Sequence, residues 1–141
     1  MILFLHIGVE KTASSYLQTL CATHRAALQR DGVYFPHGGV DERLMRAAAV
    51  SPGNGRELAE AMSEEGWSSV ERWLAERIAA AKTADCRAVL VSHEVLFKPL
   101  SKKGAPEKLA AIATDLGVEL RCLVVIREPV SHALSLYKHR A

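Results

Sequence analysis

The sequence predicts an α/β domain built on a parallel sheet flanked by helices, and three observations carry that expectation. Short apolar runs recur at residues 2–7, 88–91 and 122–126, as strands covered on both faces require. Stretches with apolar residues at helical spacing lie between them, notably 12–30, 69–82 and 105–116. Strand and helix therefore alternate along the chain, the pattern of parallel strands joined by helical crossovers. With 141 residues, the chain suits a single domain spanning 1–141.

Each element has a local reason. Residues 2–7 form an apolar run closed by Gly8, which suits a buried strand. In the helix over 12–30, Tyr16, Leu20, Thr23 and Ala27 make one stripe, and Asp31-Gly32 supplies the stop. Val33-Tyr34-Phe35 reads as a second short strand ended by Pro36. Loop signals at His37-Gly38-Gly39 and at residues 51–55 frame a short helix over 42–50. The helix over 69–82 is expected to start at Ser68 as N-cap, with Glu71 completing a capping box. Its buried face is expected to carry Val70, Trp73, Leu74, Ile78 and Ala81. A third strand over 87–91 follows, then a helix over 105–116 with Pro106 in its first turn and Gly117 at its end. A fourth strand over 120–126 and a last helix from Val130 complete the series.

Composition excludes several classes. Apolar residues make up 49% and charged residues 24%, values of an ordinary globular domain and not of a disordered or fibrous chain. A net charge of +2 is too small to imply nucleic acid, so an anion site would have to be local. No apolar run approaches the roughly 20 residues of a membrane span. No basic segment precedes the first apolar run, so a signal peptide is not expected. Cys21, Cys86 and Cys122 are widely spaced and odd in number. They read as buried small hydrophobes of a cytoplasmic protein, without metal-site spacing.

Two strand-to-helix junctions carry unusual chemistry. In the first, His6-Ile7-Gly8-Val9-Glu10-Lys11-Thr12-Ala13-Ser14-Ser15, a cation and three hydroxyls crowd the start of a helix. Free backbone N–H groups and the helix dipole there favour an anion. Only one glycine precedes Lys11, so the segment lacks the two-glycine frame of a Walker A loop. In the second junction, Arg127 follows a strand, Pro129 opens a helix, and Ser131 and Ser135 share one helical face. A guanidinium fork beside a hydroxyl can grip a phosphate through charge-assisted bonds. Each junction also has a plain reading, as a capped helix start or an Arg paired with Glu10, Glu94 or Glu128.

Taken together, the junctions resemble those of sulfotransferases that use 3′-phosphoadenosine 5′-phosphosulfate (PAPS), especially bacterial members. The segment from His6 to Gln18 is similar to the family's 5′-phosphosulfate loop, usually written K-[ST]-G-T-T, with Ala13 in place of its glycine. Arg127 and Ser135, eight residues apart, are similar to its 3′-phosphate motif. Gly32-Val33-Tyr34-Phe35-Pro36 and Val91-Ser92-His93-Glu94 also look like this family.

The resemblance implies a P-loop-NTPase-like three-layer fold and sulfuryl transfer from PAPS to a hydroxyl or amine acceptor, a small molecule or a glycan. Lys11 would stabilise the leaving bridging oxygen. Thr12, Ser14 and Ser15 would hold the 5′-phosphate, and Tyr16 would lie against adenine. Arg127 and Ser135 would bind the 3′-phosphate, and Glu94 or His93 would serve as general base. Because family domains continue past the second phosphate motif, it also implies an incomplete domain with an uncovered apolar face and a tendency to self-associate. Two other readings stay open: an inactive nucleotide-binding or assembly module, and a P-loop-like kinase or nucleotide hydrolase.

Overall fold

A computed structural model describes residues 1–8, 14–37, 53–126 and 128–140. The helix expected over 42–50 lies outside them. Four strands form one sheet in the order β2-β3-β1-β4, all neighbours parallel. They are β1 (Ile2–Gly8), β2 (Val33–Tyr34), β3 (Ala88–Ser92) and β4 (Glu119–Val125). The helices are α1 (Ser14–Thr23), α2 (Arg25–Arg30), α3 (Arg56–Glu60), α4 (Trp67–Thr83), α5 (Phe97–Leu100), α6 (Ala105–Asp115) and α7 (Pro129–Arg140). The α/β class with helices flanking a parallel sheet is therefore as the apolar runs predict.

Crossover direction decides which face each helix covers. The chain travels from β1 across β3 to β2, then returns through β3 and over β1 to β4. Right-handed crossovers place α1 and α2 on one face and α3, α4 and α6 on the other. The core agrees. Leu3 and Leu5 of β1 lie in register with Val89 and Val91 of β3, and all four pack in one cluster with Leu58, Leu74 and Leu109 from α3, α4 and α6. The buried face of α4 consists of Val70, Trp73, Leu74, Ile78 and Ala81, the stripe its spacing predicts. Along β1, side chains alternate between faces, so Phe4 and His6 turn to the α1 side.

Four details differ from the sequence reading. The stretch over 12–30 is not one helix: it breaks at His24, whose φ of −103° and ψ of 24° leave the helical range. Nothing local announces the break, since no glycine or proline stands near it. The long helix starts at Trp67 after Gly66, with no side-chain cap, so Ser68 lies inside the first turn and the capping box does not form. Before it, α3 runs into a π turn at Ala61–Glu65, which the sequence analysis left unassigned. Cys21 and Cys86 are buried, but Cys122 is exposed on β4, because an edge strand lacks cover. No described helix is long and apolar enough to cross a membrane.

Candidate functional site

The strand register gathers the two junctions at one edge of the sheet. Gly8 at the end of β1 lies opposite Val125 at the end of β4, and His6 lies opposite Ser92 at the end of β3. The helices that follow β1 and β3 lie on opposite faces, and the carboxyl edge between two such strands is where open parallel sheets generally take a ligand. Lys11, Thr12 and Arg127 fall outside the described residues, but their flanking strand ends are adjacent. Ser14 opens α1, Ser15 is half-buried, and Tyr16 is exposed. Ser135 is half-buried on α7. The start of α7 already holds an anion of its own: Glu128 accepts from Val130 N at 2.8 Å and Ser131 N at 2.7 Å. That carboxylate caps the helix and opposes its dipole. A phosphate gripped by Arg127 and Ser135 would therefore sit beyond the helix start, not on it.

The most informative feature is one the motifs did not indicate. Among the described residues the buried polar side chains are His6, Gln18, Asn54, Ser92 and His93, and all five lie at or beside the carboxyl ends of β1 and β3. Ser92 Oγ lies 2.7 Å from His6 Nδ1. Asn54 clamps the outer edge of β3 where the two-residue β2 has run out. Its N–H donates to Ser92 O at 3.0 Å, its Oδ1 accepts from Ser92 N at 2.7 Å, and its Nδ2 donates to Leu90 O at 2.9 Å. A side chain thereby does the work of a neighbouring strand. Gly53 makes the approach possible: a Cβ there would lie 2.0 Å from Ser92 O and 3.0 Å from the Gln18 amide.

Four atoms of this cluster have no hydrogen-bond partner among the described residues: His6 Nε2, His93 Nε2, and both Nε2 and Oε1 of Gln18. A half-satisfied buried network costs stability, and such costs concentrate at functional sites. Converting Gln18 to Met, of similar length and apolar, is expected to leave the melting temperature unchanged or raise it. A substantial fall would mean that the amide is satisfied in solution.

The two base candidates differ in geometry. His93 Nδ1 accepts a hydrogen bond from Val95 N at 3.0 Å, capping the 3-10 turn Glu94–Leu96. In the neutral ring the proton then resides on Nε2, leaving no free lone pair to take another. His93 thus orders the turn that carries Glu94, while Glu94 itself is half-buried two residues past the end of β3. Burial holds the imidazoles of both His6 and His93 below the ordinary value of 6.5; for His93, Arg56 adds to the effect and Glu60 opposes it.

Because the folded-state values are depressed, the unfolded chain binds more protons as pH falls through about 6.5. Stability is expected to be full above that pH and to decline below it, toward the folded values. Thermal melts across this interval check it, and a flat profile would contradict it.

Among the described residues no three His, Cys, Asp or Glu side chains gather as a metal ion would require. Compared with known proteins, the chain matches no family model, no curated sequence and no solved structure.

Proposed function

We propose that the chain binds 3′-phosphoadenosine 5′-phosphosulfate and transfers its sulfuryl group to a hydroxyl or amine acceptor. The observation that carries this reading is the register of β1 with β4, which sets Gly8 beside Val125. The loops bearing Lys11 and Arg127 therefore leave neighbouring strands, ~4.8 Å apart at their roots, from the same edge. A nucleotide with phosphates at both its 5′ and 3′ positions needs two such cationic loops. The order β2-β3-β1-β4 differs from the dinucleotide-binding and flavodoxin-like orders and supports a P-loop-like reading of the fold.

In the reaction, the bond between sulfur and the oxygen bridging to the 5′-phosphate breaks, and a bond from sulfur to the acceptor atom forms. Lys11 offsets the charge developing on the bridging oxygen, as in phosphoryl transfer, where positioning and charge stabilisation dominate. Thr12, Ser14, Ser15 and the N–H groups opening α1 hold the 5′-phosphate, and Tyr16 is available to adenine. Arg127 and Ser135 hold the 3′-phosphate. Glu94 takes the acceptor proton, in the position that the His93 cap fixes.

The test is thermal shift. 3′,5′-Adenosine bisphosphate is expected to raise the melting temperature by several degrees at about 100-fold excess over Kd. AMP and ATP are expected to do far less, and equal shifts for all three would overturn the reading.

A further inference from the structure

His6 is a polar residue in an apolar strand. Its neighbours in β1 are Ile2, Leu3, Phe4, Leu5 and Ile7, and it is itself buried. Burying an imidazole carries a desolvation penalty, and Nε2 has no hydrogen-bond partner among the described residues. A leucine there would carry no such penalty. What the imidazole supplies in exchange is a tie to the end of β3.

His6 and Ser92 are opposed in the β1–β3 register, so their side chains share one face of the sheet. His6 Nδ1 lies 2.7 Å from Ser92 Oγ, beside the backbone bond from His93 N to His6 O at 3.1 Å. That rung needs reinforcement, because β2 accompanies β3 only as far as Val89. On its other side Ser92 is held at both N–H and C=O by Asn54. The tie continues into the turn, where His93 Nδ1 accepts from Val95 N. Glu94 thus stands between two anchored residues, His93 and Val95. At its other end, His6 lies two residues before Gly8, where β1 gives way to the loop with Lys11.

We infer that His6 is a positioning residue for sulfuryl transfer: its bond to Ser92 fixes the end of β3, and with it Glu94, against the strand that leads into the Lys11 loop. This rests on the nucleotide reading above, with Glu94 as base. A base must stay within hydrogen-bond reach of the proton it takes, and a displacement of about 1 Å can lower a rate by up to ~100-fold.

The test uses the full chain with PAPS and with water as acceptor. Water attacks sulfur, Glu94 takes its proton, and the bridging oxygen leaves on 3′,5′-adenosine bisphosphate, giving sulfate. His6→Leu is expected to lower kcat about 10-fold or more, at nearly unchanged KM for PAPS. Ser92→Ala removes the same bond from its other end and is expected to act alike; it carries the test if circular dichroism shows His6→Leu unfolded. His6→Asn keeps a polar atom one bond beyond Cγ and is expected to recover most of the rate. In a Glu94→Gln background, His6→Leu is expected to cause no further loss, because residues that act through one group are not additive. A wild type that gains no thermal stability from the bisphosphate would overturn the nucleotide reading. With that gain present, four results would each overturn the inference alone: no hydrolysis, His6→Leu and Ser92→Ala rates equal to wild type, a His6→Asn rate as low as that of His6→Leu, or a full further loss in the Glu94→Gln background.

Discussion

Replacing Gly53 by Ala is expected to destabilise the fold by about 3 kcal/mol or more, lowering the melting temperature by roughly 10 °C. The residue has φ +80°, and an added Cβ would meet the Ser92 carbonyl oxygen at 2.0 Å. That oxygen cannot retreat cheaply, because it accepts from Asn54 N and belongs to the strand end beside β1. Gly66 is the control. It also has positive φ, at +95°, but nothing lies within 4 Å of its Cβ position. Gly66→Ala should therefore cost only backbone strain, about 1 kcal/mol. The difference between the two variants isolates the contact with β3, and equal losses would show that the clamp is not tight. Asn54→Ala should fall with Gly53→Ala, since it strands buried backbone groups of Leu90 and Ser92.

The second large effect concerns the ligand. Arg127→Ala is expected to weaken 3′,5′-adenosine bisphosphate by about 30-fold or more, the loss of a charge-assisted phosphate contact, while leaving AMP affinity nearly unchanged. Lys11→Ala is expected to weaken both, because both carry the 5′-phosphate. Titration calorimetry of the two variants with the two nucleotides reads this pattern directly. Parallel losses for both variants on both nucleotides would deny Arg127 its place at the 3′-phosphate.

The extent to which the sequence announces these features varies by element for physical reasons. The strands were legible because burial on both faces leaves uninterrupted runs such as Ala88-Val89-Leu90-Val91. The buried stripe of α4 was legible because helical spacing alone selects it. Its start was not, because Gly66 begins the helix by backbone conformation without a capping side chain. The polar cluster was hidden for a different reason. His6 and Ser92 are 86 positions apart, and Asn54 between two glycines reads as ordinary turn punctuation. Only the sheet register shows that this turn completes the edge of β3. Gln18, in the second turn of α1, carries no motif signal at all. The Lys11 and Arg127 motifs rest on resemblance alone, and the structure adds only that the strands preceding them are neighbours.

The proposal requires that the loops after β1 and β4 serve one ligand, with the β3 end beside them. Amide chemical-shift mapping of the full chain on titration with 3′,5′-adenosine bisphosphate tests it most directly. Concerted shifts saturating at one Kd are expected at Gly8 and Ser15, at His93 and Glu94, and at Ile126 and Ser135. Shifts confined to one of these strand ends, or separate saturation at each, would contradict it.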